Sequence, residues 1–576
     1  MGILVTMYVE RVPNRSSPPA MLLREAWREG GRVCKRTIAN LSDWPPQRIE
    51  TLRRLLRDEP LVPAAEVFTI ETSTPHGHVE AILGSIRKLG LETVLATKRS
   101  RPRDLILALV VERLIHPCSK LATTRLWKTT TLGETLGVSD VDVDEVYDAL
   151  DWLLARQPQI EKKFAGRHLT EGGVVLYDVS SSYYEGRHCA LARFGHDRDG
   201  KRGLPVIVYG VTTDAAGRPV AVEVYPGGTG DPTTVPDQVE ALRTRFGLWR
   251  IVLVGDRGLL TETQLQHLRR HPGLGWISAL RSPAIQALVE SGALQLSLFD
   301  EQHLAEITSP AYPDERLIVC FNPVLAEERR RKRQELLAAT EQALTKIAKE
   351  AARRTRTPFD DATLGVKVGK VVNHYKVGKH FAVSISAGRV RWTRQEAHIQ
   401  QEAQLDGFYV IRTSEPLDRL SPEDTVRHYK GLSRVERAFR CLKGIDLRVR
   451  PIRHRTDDHV RAHIFLCLLA YYVEWHLRQA WAPLLFHDDE LEATRATRDP
   501  VAAPTPSRTA RRKKAQRTTA QGQPVHSFET LLVELATRCQ HTCRLRSDPT
   551  GPTLRQVNPP TPLQARALEL LGLKSV

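Results

Sequence analysis

Val174-Val-Leu-Tyr-Asp178-Val-Ser180 is a near-continuous apolar run that carries a carboxylate towards its end. A strand covered on both faces of a sheet has this texture, because neither side of it alternates with water. Stretches 205–213 and 219–227 follow as strands, joined by the hairpin-like turn Asp214-Ala-Ala-Gly217, and 231–246 reads as a helix opened by Asp231-Pro232. A second hydrophobic strand, Ile251-Val-Leu-Val-Gly-Asp256-Arg-Gly258, again ends in an aspartate, here before a glycine turn. A helix at 261–270 and a strand at 275–280 come next. Three strands in a row, then alternating helix and strand, predict a mixed α/β sheet. An aspartate at the end of an apolar strand is costly without a partner or a task. Asp178 and Asp256 are therefore candidate site residues, a turn or helix-capping role being the alternative for each.

A third carboxylate comes from Tyr429-Lys-Gly-Leu-Ser-Arg-Val-Glu436-Arg-Ala-Phe-Arg440-Cys-Leu-Lys443. This stretch has no proline and one glycine near its start, and reads as part of a helix over about 422–443. Tyr429, Glu436 and Lys443 recur every seven residues, a step that returns to within about 20° of its starting direction, so they share one face. Arg440 lies about 20° from Tyr429 on that face. Leu432, Val435, Phe439 and Leu442 form an adjacent apolar arc able to dock on a core. Taken alone, the pattern equally fits a solvated face with ordinary i,i+4 Glu–Arg pairing. Taken with two strand-end aspartates, the glutamate completes an all-oxygen ligand set for hard divalent cations such as Mg²⁺, which keeps several waters. Two ions about 4 Å apart would activate a water or 3′-hydroxyl and stabilise the leaving oxygen of a phosphodiester.

Leu176-Tyr-Asp178-Val-Ser180, Val254-Gly-Asp256-Arg-Gly258 and Tyr429-x6-Glu436-x6-Lys443 together resemble an insertion-sequence DDE transposase of the IS-four superfamily, the group bearing a Tyr…Arg…Glu…Lys signature. The resemblance spans about 172–480 and includes an insertion ahead of the glutamate helix. It implies an RNase H-like fold with Asp178, Asp256 and Glu436 as the catalytic, metal-binding triad. The implied cofactor is two Mg²⁺ ions, with Mn²⁺ able to substitute. It further implies that Tyr429 and Lys443 contact DNA phosphates near the cleaved end, and Arg257 is a further candidate DNA contact. One position departs from the signature: the arginine three residues after the tyrosine is Leu432 here. Arg434, about 140° from Tyr429, and Arg440, which shares the site face, are both candidate DNA contacts, and either could replace it, with Arg440 favoured by its direction.

The function so implied is excision and strand transfer of an insertion sequence by two-metal phosphoryl transfer at its inverted-repeat ends. Water attacks first, and the freed 3′-hydroxyl then attacks target DNA. The partners implied are double-stranded DNA (terminal inverted repeats and target) and further copies of the chain, as a homodimer or higher synaptic complex. A nuclease that cleaves without joining, and a catalytically silent DNA-binding descendant, are the other readings. The intact Asp178, Asp256 and Glu436 set argues against silence.

Around this centre the sequence predicts an α/β chain: an RNase H-like catalytic domain with an inserted α+β segment, an N-terminal β/α-helical DNA-binding region and a mostly helical C-terminal region. Residues 1–75 read as a small basic β-rich domain, with strands at 6–12, 20–24 and 32–39 and a helix at 45–57. Residues 76–170 read as an all-α module for DNA binding or scaffolding. The catalytic domain is expected at 171–281 and 406–492, where 407–413 is a strand and 459–477 an apolar helix. Between them, 282–405 reads as an insertion with a long charged helix at 323–354 and β-rich sequence at 365–386, whose basic residues from Lys367 to Lys379 are expected to face DNA. Residues 493–525, including Arg511-Arg-Lys-Lys514, read as a disordered basic linker, and 526–576 as a helical tail.

The net charge of +17 and pI near 9.6 fit a polyanionic partner, most often nucleic acid. No run approaches the ~18 apolar residues of a membrane span, and the N-terminus lacks the build of a signal peptide. No membrane partner is expected, and the expected location is cytoplasmic, associated with the nucleoid. The eight cysteines include no Cys-x2-Cys pair, and Cys539-Gln-His541-Thr-Cys543 reads as a reduced helical segment. His196-Asp-Arg-Asp-Gly200 resembles part of a calcium loop without the later glutamate, and so reads as a basic hairpin loop. For His454, His459 and His463, phosphate contact or plain surface is expected rather than a metal.

Overall fold

A computed structural model describes residues 6–15, 17–59, 67–299, 302–546 and 548–574. Two compact units emerge: Met1–Thr74 with Cys539–Asn558, and Pro75–Arg538 with Pro559–Val576. In the smaller unit β1 (Thr6–Val12), β2 (Ala20–Glu29) and β3 (Arg32–Asn40) form an antiparallel sheet in that order, as their alternating sequence predicts. Gly30 and Gly31 turn the chain between β2 and β3, both at positive φ that side chains resist. The helix Pro46–Leu55 follows, and then β4 (Phe68–Pro75).

The larger unit is built on eight strands. β5 (Val174–Tyr183), β6 (Val206–Asp214) and β7 (Pro219–Pro226) form an antiparallel meander. β8 (Ile251–Val254) pairs with the other edge of β5 in parallel, and β9 (Leu274–Ala279) pairs with β8 in parallel. β10 (Leu304–Ile307), β11 (Arg316–Phe321) and, beyond the small hairpin β12 (Phe381–Ser386) and β13 (Arg389–Arg394), β14 (Phe408–Thr413) extend the sheet antiparallel, in the order β10-β11-β14-β9-β8-β5-β6-β7. Every residue of β6 is buried, because helices cover the sheet on both sides. The helix Leu432–Lys443 lies on β5 and β6, with Phe439 tilted against Tyr209 at 5.8 Å between ring centres. The apolar helix Asp457–Ala480 packs on β7 and on the all-α helices Arg101–Ile115 and Val143–His168.

Several expectations change. Strands β10 and β11 belong to the main sheet, so the insertion within it begins after 321 rather than at 282. Its long helix, Pro323–Arg353, is as predicted, but the β-rich reading of 365–386 is wrong for its first part. Asp361–Tyr375 is a helix, capped by Asp360 through Thr363 N–H, and β structure begins only at Phe381. Leu364, Val368, Val371, Val372 and Tyr375 recur at three- and four-residue spacing and bury against the long helix, which outweighs the β preference of valine.

The stretch 493–525 carries a helix at Arg508–Gln516, and Leu491–Thr497 runs into it. Val501 is 1% exposed, and its carbonyl accepts bonds from Asn322 Nδ2 and Lys430 Nζ, each at 3.0 Å, so this segment is packed rather than a free linker. In the tail, Cys539–Leu545 is strand β15, not a helix; it pairs with β16 (Leu554–Val557) and with β4 in the smaller unit. Strand pairing across more than 400 residues of chain leaves no local sequence signal.

Phe439→Ala would open a cavity between the helix and the sheet. A loss of about 3–5 kcal/mol is expected, read by denaturant unfolding of the full chain. A loss under about 1 kcal/mol would mean that this ring does not fasten the helix.

Candidate active site

Strands β5 and β8 are parallel neighbours with Leu176 opposite Val254. Two residues further along each strand direction come Asp178, within β5 rather than at its end as the sequence suggests, and Asp256, just past β8, so the two aspartates lie at the same level. Asp178 Oδ1 accepts the Val179 N–H at 2.8 Å. Asp256 Oδ1 accepts the N–H groups of Gly258 (3.0 Å) and Leu259 (2.7 Å), which fixes the turn after β8. Glu436 projects from Leu432–Lys443, is exposed, and makes no hydrogen bond or ion pair with any described residue.

The electrostatics tie these groups together. Burial pushes the Asp178 carboxyl up to about 7, with the negative charges of Asp256 and Glu436 adding to it. The Val179 N–H and the Arg198 guanidinium oppose the shift. Burial likewise pushes the Tyr429 phenol up to about 12, with Asp256 and Glu436 adding and Arg257 opposing, so its hydroxyl stays a donor. Asp178, Asp256 and Glu436 lie near enough for Asp256 and Glu436 to raise the Asp178 carboxyl, and their oxygens are the hard donors that a divalent ion takes. Among the described residues they do not close to within 4.8 Å of one another, as the ligand atoms of Cys441, Asp446 and Glu474 do.

Not all of the predicted face is one continuous helix. The sequence predicts a helix over 422–443, but the structure divides it into Pro422–Lys430 and Leu432–Lys443, with Gly431 N–H bonded to Arg427 and His428 carbonyls at the joint. Tyr429 precedes the joint, yet still feels Asp256 and Glu436. Lys443 reaches the site edge: its ammonium bonds the Ser181 carbonyl and pairs with Asp199 at 3.2 Å, and burial lowers its pKa against that pairing.

The two arginines line one cavity but differ in their partners. Arg434 turns away, bonding the Ala215 carbonyl and pairing with Glu492 at 2.6 Å. Arg440 is exposed and opens onto a cavity of about 370 Å³ shared with Arg434, Arg437, Arg478 and Arg495.

Sequence reasoning missed three groups. Asp199, within the motif read as a basic hairpin loop, has a side chain only 2% exposed and holds both Lys443 and Arg450. Arg198 pairs with Asp231 while facing Asp178. Two acids flanking an arginine inside a basic stretch, Asp197-Arg198-Asp199, was the available signal. His463 is buried rather than on the surface, and its Nε2–H donates to the Val449 carbonyl at 3.0 Å.

Residues 172–473 match the family model described as the transposase DDE domain, and residues 9–61 match that of the IS1634 family transposase N-terminal domain. The chain belongs to the DDE transposase family. It is a DNA transposase of insertion-sequence type, and the matched span contains all three carboxylates. DDE transposases use divalent metal ions. No curated protein matches this transposase. Among solved structures it is similar to a chain of the piggyBac transposase synaptic complex with hairpin DNA determined by cryo-EM. That chain is 10% identical, with 80% of this chain and 76% of that one covered and a TM-score of 0.32, a likeness too slight to place any residue. Among the described residues of the transposase, no helix is long and apolar enough to cross a membrane.

The raised Asp178 carboxyl makes a signed prediction for the metal-free transposase. Its folded value, about 7, lies above the unfolded value of 3.8. The folded state therefore binds the extra proton between these values, and stability is lost as pH rises through that window. Asp178→Asn is expected to stabilise the protein at pH 8 by on the order of 2 kcal/mol and to do little near pH 3. Thermal melts in EDTA test this; equal effects at both pH values would refute it.

Proposed function

We propose that this transposase excises and joins its element by phosphoryl transfer at Asp178, Asp256 and Glu436. The observation that carries the reading is the placing of Asp178 and Asp256 side by side on two parallel neighbours, with Glu436 of a docked helix near enough to raise the Asp178 carboxyl, in a chain of the DDE family. The order β9-β8-β5-β6-β7, a meander extended by two parallel strands, supports assigning the sheet to the RNase H-like class. The three carboxylates would hold two Mg²⁺ ions, with Mn²⁺ as a substitute. When bound, these supply a lowered pKa for the attacking water or 3′-hydroxyl and charge neutralisation at the phosphodiester.

The chain's own groups position the substrate. Tyr429 keeps its proton and donates from the site face, beside Arg257, to a backbone phosphate of the cleaved strand. Lys443, anchored through Asp199 and the Ser181 carbonyl, presents a charge at the far end of the glutamate helix. Arg440 takes the part of the missing signature arginine from the rim of the adjacent cavity, while Arg434 braces the helix through Glu492 and Ala215. The substrate is double-stranded DNA, both the terminal inverted repeats and the target. Two ends must be joined, so a homodimer or higher synaptic complex is the working assembly, in the cytoplasm at the nucleoid.

A pre-cleaved, labelled oligonucleotide taken from the element's own terminus, incubated with Mg²⁺ and target plasmid, tests the reading. Asp256→Asn and Glu436→Gln are expected to lose joining by at least about 100-fold, as removal of a metal ligand withdraws several kcal/mol from the transition state, while still binding the duplex. Cleavage with no joined product would favour a nuclease, and binding alone a silent descendant. Arg440→Ala is expected to weaken strand transfer about tenfold. Full activity in that variant together with loss in Arg434→Ala would reverse the roles given to the two arginines.

A further inference from the structure

A second cavity of about 360 Å³ lies in the larger unit, and among the described residues no carboxylate lines it. Its charged wall is made by Arg113, Lys120, Arg448, Arg450 and Arg453. Lys120 is 4% exposed, and its ammonium has no hydrogen bond or ion pair among the described residues. Arg113 is 6% exposed and donates only to carbonyls, those of Cys118 at 3.3 Å and Leu447 at 3.5 Å. His454 and His463 complete the wall as neutral rings: burial, with Lys120 next, pushes His454 down to about 3 and His463 well below its ordinary value. Burial, followed by the nearby Arg113 charge, pushes Lys120 itself down to about 7.

A buried cation is normally paired, because desolvating it alone costs several kcal/mol. Here Lys120 and Arg113 share a solvent-reachable hollow; Arg450 and Arg453 on its wall are paired with Asp199 and Glu185, whereas neither Lys120 nor Arg113 has a carboxylate partner among the described residues. Such a hollow is complementary to an anion. At its mouth Arg448 is exposed, held at φ +44, a conformation that a non-glycine residue adopts only at a cost, and it has no ion pair among the described residues.

The cavity is linked to the active site. Arg450 lines it and also shares the Asp199 carboxylate with Lys443 of the glutamate helix, while Arg450 Nε donates to the Lys443 carbonyl at 3.1 Å. A polyanion lying across Lys443 therefore meets Arg450 next and the cavity after it. We propose that this cavity binds a backbone phosphate of the DNA strand engaged at the active site, with Lys120 and Arg113 at its floor and Arg448 at its mouth. Only the identity of the polymer rests on the transposase reading; the anion specificity follows from the cavity.

Fluorescence anisotropy of a labelled DNA duplex across a KCl series, with the full chain carrying Lys120→Met or Arg448→Ala, tests this. Each variant is expected to weaken binding about tenfold, the worth of a hydrogen bond to a charged group. The slope of log affinity against log salt should become shallower by about one. Lys120→Met keeps the side-chain length and removes an unpaired buried charge, so its melting temperature should not fall; Arg448→Ala alters an exposed residue and serves if the first variant folds poorly. Wild-type affinity and slope in both would overturn the proposal. So would protection of wild type, but not Lys120→Met, by inorganic phosphate in thermal melts while duplex binding stayed unchanged, since the site would then take free phosphate. The readout is binding without Mg²⁺, so a chain that binds normally but never cleaves would count against the catalytic reading and leave this one standing.

Discussion

The parallel pairing of β5 with β8 is the constraint from which the site follows. Parallel strands end on the same side of a sheet, so acids two residues beyond the last paired positions, Leu176 and Val254, must lie side by side. In an antiparallel pairing, acids that each follow the last paired residue would lie at opposite ends of the ladder. The cost of this arrangement is visible in Asp178, whose carboxyl is held up to about 7 by burial and by its neighbours Asp256 and Glu436. Such a concentration of like charge is tolerated because the rest of the sheet is heavily buried, with helices on both faces supplying the stability that the site consumes.

The glutamate helix links that sheet to the surroundings of the site through its different faces. Val435, Phe439 and Leu442 fasten it to the core, Glu436 lies near enough to the aspartates to raise Asp178, and Arg434, Arg437 and Arg440 face a separate arginine-lined cavity. Lys443 ends the helix in a chain of ionic contacts through Asp199 to Arg450.

Much of this was legible in the sequence. The strands β5 to β9, the long helix Pro323–Arg353 and the apolar helix Asp457–Ala480 follow from local periodicity and from unbroken hydrophobic runs. The two aspartates stood out because each follows such a run, and Glu436 because Tyr429, Glu436 and Lys443 recur every seven residues. The misreadings share a cause: in 365–375 the packing of a helix face overrode valine's preference for strands, in 493–525 a polar segment was ordered by Asn322 and Lys430 from distant elements, and Cys539–Leu545 found its strand partner in β4.

By itself the sequence determined which residues could form strand ends and helix faces, since hydrophobic period and glycine or proline punctuation act over a few residues. It thereby named Asp178, Asp256, Glu436, Tyr429 and Lys443. Only the tertiary structure decided which charges meet: that Asp199 rather than solvent holds Lys443, that Arg434 pairs with Glu492 while Arg440 lines the same cavity, and that Lys120 is buried without a counter-ion among the described residues. Coulombic partners are set by distance in space, and residues far apart in the chain come within reach only once the sheet has been assembled.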